Sequence, residues 1–269
     1  MKQSFIVMLL LAVTGFAFVS CDKDDDDEPD SKKLNLNEIT LEAGQTTKLI
    51  YNGDCSWSSD QPLIASVDEE GNVTAERVGE TYIKANNETC KVTVTPKYHT
   101  YIEPLTIWGC NQSLVKDFMS VLTPLGYTLT KETSTTLTYF SSINKVEMYS
   151  YIFENGKLET SGIAAPILTA GSDITDFLLE RYVVLYVDRE ENMFYLTSID
   201  KLMAIVVGFN GNSIVVAYIN RDSNSNFLTY SDQIKSLRYN CKSKSATKYD
   251  YSKELNSLLD KFEKQIQKP

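Results

Sequence analysis

Ser142-Ile143-Asn144-Lys145-Val146 returns 56 residues later as Ser198-Ile199-Asp200-Lys201-Leu202, and this self-match decides how the chain is divided. At the same offset Phe153 answers to Phe209, Leu158 to Ile214 and Ile163 to Ile219. Upstream of each pentapeptide, Asp117-Phe118-Met119 answers to Asp176-Phe177-Leu178. A recurrence of this length marks a duplicated supersecondary unit, because one copy alone cannot bury its own apolar face.

Working outward, Leu114, Val115, Phe118, Met119 and Leu122 recur at helical spacing, with Asn111 or Ser113 to cap the helix. Strand-like runs follow at Tyr127 to Thr130, Thr136 to Tyr139, Val146 to Phe153 and Leu158 to Ile163. The pattern then restarts: Ser172 opens a second helix carrying Ile174, Phe177, Leu178 and Tyr182, and further strand-like runs come after it. The turns Glu154-Asn155-Gly156 and Asn210-Gly211-Asn212 join the last two strands of each copy as hairpins. Residues 97–230 are therefore expected to form an α+β domain of two copies, about 110–165 and 171–220, each a helix followed by a four-stranded antiparallel sheet.

One helix covers one face of a sheet, so the other face must be accounted for. In the second copy both faces are apolar, since Met203, Ile205 and Val207 alternate with Leu202, Ala204 and Val206. In the first copy Val146, Met148 and Ile152 are expected to face the helix, with Glu147, Tyr149 and Tyr151 pointing away and Tyr127 and Tyr139 sharing their side. Tyrosine gives large contact area with a polar tip at low entropy cost, so these four make a candidate binding face for a protein or glycan. The alternative is that another part of the chain covers them.

Residues 33–96 read differently. Short β-type runs alternate with turn residues: Ile39 to Leu41, Thr47 to Tyr51, Ser56 to Ser58, Ala65 to Asp68, Asn72 to Ala75, Thr81 to Ala85 and Lys91 to Thr95. That spacing predicts a small β-sandwich. Leu41-Glu42-Ala43-Gly44, Trp57-Ser58-Ser59-Asp60, Ala65-Ser66-Val67-Asp68, Gly71-Asn72-Val73-Thr74-Ala75, Val78-Gly79 and Val92-Thr93-Val94-Thr95-Pro96 occur in that order. They resemble the bacterial immunoglobulin-like domain, group two. The resemblance implies a spacer or adhesive module, with Trp57 in the core, Gly71 at a turn, and Cys55 and Cys90 joined as a disulfide. The whole chain is thus expected to be mixed: an Ig-like sandwich, an α+β domain and a C-terminal helix. The tandem plan is also similar to that of the β-lactamase inhibitor proteins, whose duplicated sheet grips a partner protein, and to small outer-membrane assembly lipoproteins. That likeness is architectural and carries over no residues.

At the N-terminus, Lys2 precedes an apolar run of fifteen residues, Phe5 to Val19, shorter than the roughly 20 that span a bilayer. The run ends in Phe18-Val19-Ser20-Cys21. It resembles the lipobox of bacterial lipoproteins, with Phe18 where leucine is usual. The resemblance implies removal of residues 1–20, acylation of Cys21 and attachment to a membrane through the lipid. Asp22-Lys23-Asp24-Asp25-Asp26-Asp27-Glu28 follows, and within Asp22 to Asp30 seven acids stand against one lysine. Such a run repels itself and buries nothing, so residues 21–32 are a solvated tether. It also resembles the surface-export signal of certain Gram-negative lipoproteins, which implies an outer-membrane protein facing the cell exterior. Asp directly after the cysteine leaves a periplasm-facing structural or assembly lipoprotein as the alternative.

The formal charge is -10, of which residues 1–30 account for half, and the body lacks the basic footprint of a nucleic-acid binder. Sixteen Tyr and eleven Phe against twelve Gly suit ordered strands. Besides Cys21 there are Cys55, Cys90, Cys110 and Cys241, whose even number in an exported chain permits three disulfide arrangements. Cys110 with Cys241 is a further possible staple.

The sequence assembles no catalytic constellation. His99 is the only histidine and sits in the linker region, so no Ser-His-Asp set can be assembled away from it. Ser142-x-x-Lys145 and Ser198-x-x-Lys201 match the Ser-x-x-Lys pattern but precede strands rather than open helices. Metal-ligand spacing and phosphate loops are absent, so no cofactor, metal or catalytic residue is assigned, and an unrecognised enzyme ranks third among the readings. In residues 231–269, Leu255, Leu258, Leu259, Phe262 and Ile266 form a helical stripe over Ser252 to Gln267, expected to dock on the preceding domain.

Overall fold

The computed structural model describes residues 33–221 and 250–266. Residues 1–32, expected to be a signal and acidic tether and including Cys21, lie outside the described residues, as does Cys241.

Seven short strands occupy the N-terminal part: β1 (Glu38–Glu42), β2 (Thr46–Lys48), β3 (Trp57–Ser59), β4 (Ala65–Val67), β5 (Asn72–Ala75), β6 (Gly79–Ala85) and β7 (Glu88–Thr95). They make a four-stranded sheet, β1-β7-β6-β3, and a three-stranded sheet, β2-β5-β4. β1 runs parallel to β7 and the other pairs are antiparallel. Alternation along β6 and β7 buries Ile83, Ala85, Cys90, Val92 and Val94 against Leu49, Ile64 and Val73 of the smaller sheet's side. Trp57 is half-buried at the rim of this core. Its indole lies where a side chain at position 71 would go: a Cβ on Gly71, at φ +80°, would stand 2.7 Å from the ring. Only glycine allows both that approach and that backbone.

The rest of the described residues run α1 (Gln112–Leu122), β8 (Thr128–Glu132), β9 (Thr136–Phe140), β10 (Met148–Glu154), β11 (Lys157–Pro166), α2 (Ile167–Leu179), β12 (Val183–Asp188), β13 (Met193–Thr197), β14 (Met203–Asn210), β15 (Ser213–Asn220) and α3 (Ser252–Ile266). Asn111 caps α1 by accepting a hydrogen bond from the Leu114 amide at 3.1 Å. α2 begins five residues before Ser172, directly from the end of β11 at Pro166, whose ring fixes the turn into the helix. The strands after the two helices do not form two sheets. They join into one antiparallel sheet of order β12-β13-β14-β15-β11-β10-β9-β8, because β11 pairs with β15 along Thr160 to Pro166. The outermost strand on one side, β8, is exposed along its whole length.

Val115, Met119 and Leu122 of α1, Ile174, Phe177 and Leu178 of α2, and Leu258, Leu259 and Phe262 of α3 share one core on one side of this sheet. α3 docks as its stripe predicts, with Phe262 stacked on Phe194 at 4.1 Å between ring centroids. Outside the core, Arg189 holds it through Asp260 and Glu263. The opposite side of the sheet carries a separate buried cluster that includes Met148, Ala164, Tyr195, Val206 and Ile219.

The faces of the first copy are the reverse of the expectation. Tyr149 and Tyr151 are 1% and 0% exposed and lie in the core shared with the helices, while Met148 and Ile152 belong to the opposite cluster. The reason is local. Val146 also lies in the helix-side core, but it belongs to the bend ahead of β10, so alternation counted from it inverts the strand. A bulge where β10 meets β11, between Ile152 and Phe153, shifts the register again. As a result Ile163 faces the helices and its counterpart Ile219 faces the other way.

Candidate functional site

Tyr127, Tyr139, Tyr149 and Tyr151 are all buried, so they do not form an open recognition face. What covers them is the stretch between the N-terminal strands and α1, which crosses the helix side of the sheet without regular structure and packs Tyr98, Tyr101, Leu105 and Trp108 into the core. A buried irregular backbone leaves carbonyls that need donors. The sheet supplies them: Tyr149 Oη donates to the Ile102 carbonyl and Ser161 Oγ to the Leu105 carbonyl, each at 2.5 Å. Tyr127 Oη donates to the Val146 carbonyl at 2.7 Å, and Tyr101 and Tyr218 share a hydroxyl–hydroxyl bond of 2.5 Å. Tyr151 Oη reaches Met119 Sδ at 3.2 Å. Tyr127 and Tyr149 meet edge to face at 4.9 Å. Burial pushes the Tyr127 phenol up to about 12 and raises Tyr139, Tyr149 and Tyr151 as well.

Where the crossing stretch passes the loop after β9, a pocket of about 530 Å³ opens, with Tyr127 and Tyr149 at its floor. Ile102, Leu125 and Ile143 stand around it, 47%, 47% and 77% exposed. Both walls are fixed. Asn144 Nδ2 donates to the Leu125 carbonyl at 2.6 Å and to Ser141 Oγ at 2.8 Å. Gly126, at φ +92°, lets Ile143 lie flat across it, since a Cβ there would come within 2.6 Å of the isoleucine Cδ1. Opposite, Thr100 Oγ1 donates to the Asp173 carbonyl at 3.1 Å and Tyr182 Oη donates to Glu103. Lys145 also lines the pocket and pairs with Asp173 at 2.5 Å. In the sequence Ile143 stands out only as part of the repeat. The signal available was an isoleucine set between serines and Asn-Lys in a loop, where no strand or helix period asks for one.

A second cleft, of about 810 Å³, lies between the N-terminal strands and α2 and α3. Its charged groups are engaged. Glu180 is buried, accepts hydrogen bonds from the Lys97 and Tyr98 amides at 3.0 and 3.1 Å, and pairs with Arg181, whose guanidinium stacks on Phe177. The Val78 amide donates to the Glu180 carbonyl at 2.8 Å, and Arg77 donates to the carbonyls of Tyr182 and Leu63, each at 3.3 Å. Burial lowers the pKa of Arg77. Lys261 pairs with Asp176. These contacts fasten the N-terminal strands to the start of β12.

Cys55 and Cys90 are free thiols, not a disulfide. Cys55 lies two residues ahead of β3 and Cys90 on β7, with β6 between them. Strands about 4.8 Å apart put second neighbours about 9.6 Å apart, beyond the roughly 7 Å that a disulfide spans. Cys90 is buried in the core, which raises its pKa, and Cys110 is a free thiol. His99 is exposed beside the 530 Å³ pocket. Ser198 and Lys201 form a turn in which Ser198 Oγ bonds Asp200 at 2.5 Å and the Lys201 amide donates to the Ser198 carbonyl at 2.9 Å, leaving the serine hydroxyl committed to structure. Among the described residues no three His, Cys, Asp or Glu side chains come together to hold a metal ion. No protein-family model and no curated protein matches the chain.

Proposed function

We propose that this chain is a non-catalytic bacterial surface lipoprotein, anchored to the outer membrane through an acylated Cys21, whose α+β body binds a protein or glycan. The observation that carries this reading is the run from Phe5 to Cys21 with seven acids against one lysine behind it. In this reading residues 21–32 are the tether and residues 33–96 a group-two bacterial Ig-like domain. Its support is the seven short strands in two sheets and the seat of Trp57 over Gly71. The body is a duplication, supported by a helix and four strands occurring twice in the same order, with a hairpin turn at Asn155-Gly156 and another at Asn210-Gly211. The tyrosine face is no part of the proposal. Contact with the ligand moves to the pocket rimmed by Ile102, Leu125 and Ile143. The fastening around Glu180 makes the Ig-like domain a stiff stand for that pocket, not a loose leash.

Asp22, placed directly behind the cysteine, favours a second reading: a periplasm-facing structural or assembly lipoprotein with the same folds. Protease treatment of intact cells separates the two. Loss of the body is expected, and full protection in cells whose surface controls are digested would overturn the surface assignment. Mass spectrometry of the mature N-terminus tests the anchor. An acylated cysteine is expected, lost in Cys21→Ser, and an unmodified terminus would remove the basis of both readings.

A further inference from the structure

On the side of the eight-stranded sheet away from the helices, Val206, Ala217, Gly162 and Ser150 stand side by side across β14, β15, β11 and β10. All four are buried, Val206, Ala217 and Ser150 at 0% exposure. Side chains this short do not screen one another from water, so a layer of atoms has to lie over them. Among the described residues nothing provides it: α1, α2, α3 and the crossing stretch belong to the core on the other side, and the N-terminal strands to a core of their own. The burial is present in a single copy of the chain, so the cover belongs to that chain.

We infer that residues 222–249 dock on this face as an amphipathic helix and close it to ligands. Three observations select them. They continue directly from the sheet, one residue past Arg221, whose amide donates to the Leu202 carbonyl at 3.0 Å at the end of β15. They lead to α3 over β12, and the helix side between those points is already filled by α2 and α3. Their sequence also carries the matching surface. Phe227, Tyr230, Ile234 and Leu237 follow one another at steps of three, four and three, which predicts a helix with one apolar stripe, while Asp232, Ser236 and Asn240 fall on its other side. Eleven residues of helix run about 16 Å, enough to cross the four strands of the row, about 14 Å at roughly 4.8 Å between neighbours. A bed of glycine, alanine and serine lets large side chains of a covering helix come close to the sheet, as the small and large residues of facing layers interdigitate.

Methyl-labelled full chain, with alanine, isoleucine, leucine and valine carrying the label, tests this by nuclear Overhauser contacts. Contacts are expected from Ile234 and Leu237 to Val206, Val215 or Ala217. They should disappear when chains labelled only at isoleucine and leucine are mixed with chains labelled only at alanine and valine. Contacts that persist in the mixture would make the occupant a second copy and overturn the inference. So would contacts to Ala217 from any other segment, residues 1–32 included, or none from Ile234 and Leu237. In a second arm, a soluble gadolinium chelate is added to the double variant Ile234→Ser, Leu237→Ser. Loss of the Ala204 and Ala217 methyl signals is expected there, with both signals retained in the unaltered chain and in Asp232→Ser, Asn240→Ser. Signals lost already in the unaltered chain would show the face open to water and end the proposal. Should the first double variant not fold, the contacts in the unaltered chain decide. None of these results depends on the anchor or on which side of the membrane the body faces.

Discussion

Over β12 to β15 the layer against the helices is mostly hydrocarbon, Phe194, Leu196, Ile205, Val207, Ile214 and Val216, and its phenol, Tyr218, stands where Tyr101 of the crossing stretch meets it. Over β8 to β11 the same layer mixes Leu137, Phe153, Leu158 and Ile163 with the phenols of Tyr139, Tyr149 and Tyr151, joined by Tyr127 just ahead of β8, and what covers much of it is an irregular stretch of backbone. The two halves have the same strand plan and differ in their roof. A helix satisfies its own amides and asks only for apolar contact. An extended chain brings bare carbonyls into the core and needs donors from below, and tyrosine gives ring area and a donor together. Composition on the two sides therefore follows from what lies above each.

The largest effect separating the halves should appear in alkali. A raised tyrosine pKa means that the folded state keeps its proton after the unfolded state has lost it. The stabilisation is then complete below the ordinary value of about 10 and declines as pH rises through the folded pKa, by about 1.4 kcal/mol per unit for each such group. Tyr127 is pushed up to about 12, and burial raises Tyr101, Tyr139, Tyr149, Tyr151, Tyr182 and Tyr218 too. Phenolate absorbance and circular dichroism followed from pH 9 to 12.5 should change together in one cooperative step. Early, independent ionisation of these residues without loss of structure would show that the phenolic layer is open to water.

Next in size, Phe262→Ala removes a fully buried ring stacked on Phe194 and should cost about 3–5 kcal/mol in denaturant unfolding. In the other half, Tyr149→Phe keeps the ring but leaves the Ile102 carbonyl without its donor, at about 1–3 kcal/mol. If Tyr149→Phe were neutral while Phe262→Ala cost the full amount, the phenolic hydroxyl would be ornamental and the contrast between the halves one of shape alone. The smallest change belongs to Lys116→Ala, which removes a half-exposed pair with Glu132 between α1 and β8 and should alter the thermal midpoint hardly at all, at about 0.5 kcal/mol or less.

Much of this was readable in the chain. The seven N-terminal strands follow turn residues at even spacing, α1 follows from its apolar period and Asn111, and α3 from its stripe. Three things were hidden for physical reasons. Alternation in β10 was counted from Val146, which sits in a bend outside the strand, so the tyrosines were assigned to the wrong face. The union of eight strands rests on pairing of β11 with β15, whose outer edges look alike in sequence whether paired or free. The crossing stretch carries no periodicity, so nothing in it announced that it would roof the tyrosines. For the pocket, Tyr127 and Tyr149 were named but as a surface, and Ile102, Leu125 and Ile143 were passed over because single apolar residues in loops are common.

The sheet also has two ends, and they are finished unequally. β12 lies under α3, whereas β8 presents Thr128 to Glu132 to solvent with no strand beyond it among the described residues. A bare margin of this kind can recruit the margin of another molecule, and the hazard grows when many copies crowd together at one height. Lys131 and Glu132 place a cation and an anion side by side there, so two such margins meeting in the wrong register oppose like charges. Charge on a bare margin is one way a sheet resists adding a further strand, and Lys131 and Glu132 supply it here.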